Sequence, residues 1–123
     1  PGMPMIYYGD EVAMTGAHDP DCRRGMLWDE ARQDKDMLCW YQRLLRLRKE
    51  MPAILAGEIT AQQTNDAEGW LAITRRLEDR QVTLLFRSGE GTVHLPHLAG
   101  KTDLLTNAVF DGTLAGSCAL VLV

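Results

Sequence analysis

Asp19 with Arg23 and Asp21 with Arg24 place opposite charges three to four residues apart in one polar stretch. A carboxylate and a forked guanidinium can grip vicinal hydroxyls while fixing each other's orientation. From the residues alone, an ion pair that steadies its own loop is the stronger reading of Asp19 and Arg23. Asp21 and Arg24 read as structural or solvated. Asp10 and Glu11 invite comparison with the paired carboxylates of acid/base hydrolysis, but adjacent residues on an extended chain point to opposite faces. They are predicted to support the end of a barrel or sheet through hydrogen bonds or ion pairs. His18, His94 and His97 are too scattered for a metal site, and no phosphate loop, Ser-His-Asp order or zinc spacing is present. No metal and no cofactor is expected.

The totals suit a soluble globular chain, with 123 residues, 46% of them apolar and 24% charged. A net charge of -4 argues against nucleic acid, which requires clustered Lys and Arg. The basic cluster Arg43, Arg46, Arg48 and Lys49 falls on a predicted helix, where a solvated face is the simpler explanation. Cys22, Cys39 and Cys118 form no disulfide framework and no CxxC pattern, which suits a reducing compartment. Cys39 and Cys118 are expected as small core residues. No apolar run reaches the roughly 18 residues of a membrane span, so no membrane partner is expected.

Several elements must position these groups. Met3 to Tyr8 is an apolar and aromatic run bounded by proline and Gly9, the pattern of a strand covered on both faces. Residues 9 to 33 form a long polar segment of the kind that commonly carries function. Residues 35 to 50 are predicted helical, with Met37, Trp40, Tyr41, Leu44, Leu45 and Leu47 recurring at three- and four-residue spacing. Asp34 is the N-cap candidate and Pro52 the stop. From residue 57 the texture becomes short alternating strands: Trp70 to Leu77, Val82 to Arg87, Val93 to Leu95, a short Leu104-Leu105 segment and Ala119 to Val123. Gly- and Asp-containing turns separate them, which indicates an antiparallel sandwich. Trp40 and Trp70 sit in periodic patterns and are expected in cores, with packing between helix and sandwich as the alternative for Trp70. An apolar strand at the very start, with nothing to pair against, reads as part of something longer.

The run Gly2-Met3-Pro4-Met5-Ile6-Tyr7-Tyr8-Gly9-Asp10-Glu11 resembles the eighth-strand motif of glycoside hydrolase family 13, the α-amylase family. Asp19-Pro20-Asp21-Cys22-Arg23-Arg24, followed by Met26-Leu27-Trp28, is similar to the neopullulanase, cyclomaltodextrinase, maltogenic amylase and maltodextrin glucosidase subgroup. Tyr41 to Lys49 matches the helix that usually follows. The sequence departs from the family at Ala13, where glycine is common, and near Gly25, where proline is.

The resemblance implies a mixed fold. Residues 1-52 would be the last βα unit of a TIM (β/α)8 barrel, and residues 53-123 an antiparallel Greek-key β-sandwich. It also implies a cytoplasmic parent enzyme that cleaves α-1,4 bonds in cyclodextrins, maltodextrins or pullulan with retention. The nucleophile, the acid/base and a third acidic residue follow earlier barrel strands, so no catalytic residue is expected here. The resemblance turns Asp19 and Arg23 into substrate-binding candidates for an α-glucan oligosaccharide. Trp28 could stack on a sugar ring, and His18 could touch substrate, whereas Tyr7 and Tyr8 are expected to pack in a barrel strand. The alternative is a non-catalytic carbohydrate-binding module. Either way, the orphan barrel elements are expected to drive self-association.

Overall fold

A computed structural model describes residues 3–123, which divide into two compact units, the first ending at Glu50 and the second running Met51–Val123. Gly2 of the opening motif lies outside the described residues.

In the first unit, Met3 to Tyr8 forms no strand. Met3 is 92% exposed and Met5 84%, and Tyr7 and Tyr8 are exposed too. This corrects the expected barrel strand and the expected burial of both tyrosines. A strand requires a neighbour for its backbone groups, and no described segment pairs its backbone with this one. The polar segment that follows is organised by three single 3-10 turns, at Asp10–Val12, Asp21–Arg23 and Glu30–Arg32. Val12 is buried, and its carbonyl receives the Asp34 amide at 3.2 Å. Helix α1 spans Lys35–Glu50. Asp34 caps it by accepting the Met37 amide at 2.8 Å. None of its residues is buried. Cys39 and Trp40 are therefore not core residues as expected. Trp40 lies instead under the Arg43 guanidinium, 5.5 Å from the ring centre.

The second unit opens with α2, Pro52–Ala56, started by Pro52 in the first turn, where a missing amide is harmless. The strands β1 (Glu58–Asn65), β2 (Trp70–Leu77), β3 (Arg80–Arg87) and β6 (Cys118–Leu122) form one antiparallel sheet in the order β1-β2-β3-β6. The strands β4 (Thr92–His94) and β5 (Thr113–Ala115) form a second, two-stranded sheet. The chain thus leaves β3 for the second sheet and returns to pair β6 beside it. The expected Leu104-Leu105 strand is replaced by isolated bridges, Thr102 with Val109 and Asp103 with Leu122.

Between the sheets lies a core of Ala72, Leu85, Val93, Leu95, Leu98, Phe110, Leu114 and Leu122. Trp70 and Cys118 pack partly against it, and burial pushes the Cys118 thiol up while Arg87 works against that shift. Val82, on the opposite face of β3 from Leu85, is also fully buried, and α2 packs on β2 and β3 with Ala53 and Ile54 inward. Arg75 ties that helix down, donating to Ile54 O at 2.8 Å and twice to Gly57 O at 3.0 and 2.6 Å. Arginine donors suit a helix C-terminus, whose last carbonyls lack intrahelical partners.

Candidate functional site

The first unit holds the predicted site residues. Gly9 adopts φ 95°, which glycine reaches without penalty, and turns the chain out of the N-terminal segment. Asp10 accepts the Tyr7 amide at 3.0 Å, and Glu11 the Gly9 amide at 2.9 Å. Both carboxylates thus hold the backbone of their own turn rather than facing each other across a cleft. Ala13 closes the turn with its amide on Asp10 O at 3.1 Å, in the left-handed region at φ 57°.

The next turn sets Asp19, Asp21, Arg23 and Arg24. The Asp19–Pro20 peptide is cis, and the Asp21 amide returns to His18 O at 2.9 Å. Asp21 accepts the Ala17 amide at 2.8 Å and the Arg24 guanidinium at 2.5 Å. The Ala17 amide first, then Arg24, hold the Asp21 carboxyl below the usual carboxylate range. Arg24 O in turn accepts the Tyr8 hydroxyl at 2.8 Å, tying this turn to the N-terminal segment. The Tyr8 hydroxyl, beside Tyr7 at a ring separation of 4.6 Å, pushes the Tyr7 phenol up.

Asp19 and Arg23 are brought together. Arg23 Nε donates to Asp19 Oδ1 at 2.7 Å, and Nη2 reaches the same oxygen at 2.5 Å. Asp19 Oδ2 and Arg23 Nη1 make no further protein hydrogen bond among the described residues, and the two side chains are 65% and 63% exposed. One acceptor and one donor group are thus fixed in direction and left open to an outside ligand. An exposed pair of this kind adds little stability of its own.

The pair stands on open surface. Two concavities of this loop are walled by other residues. One, about 190 Å³, is lined by Tyr7, Tyr8, Asp10, Asp21, Cys22 and Arg24 among others, and one of about 350 Å³ by Met14, Arg24, Met26, Leu27 and Arg32. Arg32 and Met14 carried no sequence signal, because neither belongs to a charge pair or a periodic face. Trp28 is 81% exposed, and His18 is exposed with no side-chain partner among the described residues. His94 and His97 lie on the surface of the second unit, near Thr113 at 3.4 Å and Gln63 at 3.1 Å. Among the described residues no group of three His, Cys, Asp or Glu side chains could hold a metal, and no helix is long and apolar enough to cross a membrane.

No family model matches the chain. Individual proteins do. Over 117 residues it is 37% identical to neopullulanase 2 of Thermoactinomyces vulgaris, covering 90% of this chain and 20% of that one. Over 119 residues it is 42% identical to a cyclomaltodextrinase of a Bacillus species, covering 94% of this chain and 19% of that one. The crystal structure of a maltogenic amylase from S. marinus superposes with a TM-score of 0.83 at 28% identity, over 99% of this chain and 17% of its own. The chain therefore spans about a fifth of the length of these relatives.

Proposed function

We propose, from the premise that this chain belongs to the α-amylase family of glycoside hydrolases (family 13), that it is the C-terminal part of a cytoplasmic α-glucan hydrolase. In this reading the first unit completes the end of a (β/α)8 barrel and supplies one wall of the sugar cleft. The second unit is the C-terminal Greek-key sandwich. The supporting observation is the Asp19–Arg23 fork. It holds an acceptor and a donor group in a fixed relation and leaves both open, the arrangement two neighbouring sugar hydroxyls need.

Retaining glycoside hydrolysis needs two carboxyl groups about 5–5.5 Å apart, one to attack the anomeric carbon and one to protonate the leaving oxygen. Asp10 and Glu11 are committed to backbone amides, which argues against that role for them. The reactive carboxylates are assigned to the rest of the parent enzyme. What this chain contributes is orientation: Asp19 and Arg23 hold one glucose unit beside the scissile bond, so that the reacting centre is presented in a productive geometry. The free thiols of Cys22, Cys39 and Cys118 accord with a reducing compartment.

The purified 123-residue chain should leave β-cyclodextrin and maltotriose intact, whereas the parent should cleave both. Detectable turnover by the chain alone would refute the assignment of the carboxylates elsewhere. In the parent, Asp19→Ala or Arg23→Ala should weaken substrate affinity by about tenfold, or ~1.4 kcal/mol. The second reading, a carbohydrate-binding module without catalysis, rests on the same exposed fork. It requires saturable maltodextrin binding by the isolated chain, lost in the same variants.

A further inference from the structure

We infer that Asp21 and Tyr8 are positioning residues for the Asp19–Arg23 fork, holding the turn that carries it while their own side chains bond to neither member of the pair. Their role rests on the reading of that fork as a sugar contact.

The fork closes on itself. Arg23 Nε and Nη2 both meet Asp19 Oδ1, so these bonds hold one side chain against the other but do not set where the two point as a unit. That direction belongs to the backbone of residues 17–24 and to whatever grips its two ends. A sugar held by both groups moves with the turn, and a misplacement of about 1 Å can cost a reaction about a hundredfold in rate.

Asp21 clamps the two ends. Its Oδ2 accepts the Ala17 amide at 2.8 Å where the chain enters the turn, and Arg24 Nη2 at 2.5 Å where the chain leaves it. Arg24 Nε also donates to Asp21 O at 3.3 Å. Between these anchors the Asp21 amide returns to His18 O at 2.9 Å, which places Asp19 and Pro20 at the tip of a tight turn. The two limbs lie close together at the base. A Cβ added to Gly16 would stand 3.2 Å from Cys22 Cα and 3.6 Å from Asp21 O.

Tyr8 fastens the clamped turn to the N-terminal segment. Its hydroxyl donates to Arg24 O at 2.8 Å, sixteen residues further along the chain. The segment from which Tyr8 reaches is itself braced, because Asp10 accepts the Tyr7 amide at 3.0 Å and Glu11 the Gly9 amide at 2.9 Å. On the proposed reading this segment belongs to the end of a barrel, and the Tyr8 hydroxyl would set the loop against it. The Asp21 and Arg24 side chains are 44% and 48% exposed, so their pairing adds little global stability. Losing the clamp should loosen one turn and leave the fold standing, which separates aim from stability.

The test is steady-state kinetics of the parent enzyme on maltotriose, with the thermal melt of each variant measured alongside. Asp21→Ala should raise KM about tenfold with kcat and melt unchanged. Asp21→Asn should restore most of the affinity, because its amide oxygen can accept the Ala17 and Arg24 donors. Tyr8→Phe, which removes one hydroxyl, should raise KM about threefold. The double variant Asp19→Ala with Asp21→Ala should bind no worse than Asp19→Ala alone, since a turn without its fork has nothing left to aim. Full additivity in the double variant, or a loss of kcat and melt that matches the change in KM, would overturn the positioning role. So would an unchanged KM in Asp21→Ala beside a raised one in Asp19→Ala, and each of these results leaves the fork itself in place. An unchanged KM in Asp19→Ala would overturn both.

Discussion

Val121 donates its backbone amide to Asp103 Oδ1 at 2.9 Å, and the carboxylate that receives it is only 2% exposed. The same side chain accepts the Leu105 amide at 3.1 Å and the Thr106 hydroxyl at 2.7 Å. One carboxylate therefore fastens the 103–109 loop to β6. Burial by itself would raise its pKa. The Thr106 hydroxyl and the amides of Val121, Leu105 and Thr106 outweigh it and hold the carboxyl below its usual range.

Replacing Asp103 with Ala strands buried donors and should cost about 2–4 kcal/mol. The sign of the pH dependence follows from the depressed native pKa. Stabilisation is complete above the ordinary carboxylate value and drains away as pH falls through the lower native one. Thermal melts of the unmutated chain and Asp103→Ala should differ widely at neutral pH and converge in strong acid. A gap that persists unchanged in acid would show that ionisation is not what matters.

Arg87 has the corresponding role at the opposite kind of charge. Arg87→Met keeps the stem but abandons three carbonyls, so a loss of about 2–3 kcal/mol is expected. Hydrogen exchange should accelerate first at Ser88 and Gly116, whose amides donate to Gly69 O at 2.9 Å and Gly91 O at 3.0 Å and so join the turns that Arg87 holds. Uniform acceleration across the whole sandwich would mean that Arg87 supports the sheet rather than its loops.

Neither residue was visible in the sequence as structural. The alternation of β3 was legible, but period two does not say which face is the interior. The set Thr83, Leu85 and Arg87 faces the core, although Val82, Leu84 and Phe86 look the more apolar. Helix α1 was legible to its ends because periodicity, cap and proline agree. The exposure of Trp40 and Cys39 was not, since an apolar stripe announces a partner without naming it. β1 was missed because all but its last residue are exposed and no apolar alternation marks it. α2, at five residues, is too short for a period to show. Met3 to Tyr8 reads as a strand from composition alone, yet pairing is a property of neighbours. The Asp19–Arg23 pair was legible because a four-residue spacing needs only local backbone to close.

Ala13 offers a gain rather than a loss. At φ 57° and ψ 36° its Cβ is strained, and the left-handed region costs a non-glycine residue about 1–2 kcal/mol. Part of that is returned by the greater freedom of glycine in the unfolded chain. Ala13→Gly should therefore stabilise the first unit by about 0.5–1 kcal/mol. Slower hydrogen exchange at Val12 and Met14 would report it. Faster exchange there would show that the turn is unstrained.

Exposed apolar residues of α1 bear on association. Met37, Trp40 and Leu44 recur along one stripe and are 39%, 48% and 46% exposed, with Leu45 beside them at 49%. On the proposed reading, the rest of a barrel would cover this stripe in the parent enzyme. The proposal is that a second copy covers it in the 123-residue chain, and the expected outcome is a dimer or larger species in sedimentation equilibrium. Leu44→Lys places a charge in the middle of the stripe without touching the sandwich core. It should shift the chain towards the monomer mass and leave the melt of the second unit unchanged. An unmutated chain that sediments as a monomer at every concentration would sink this idea.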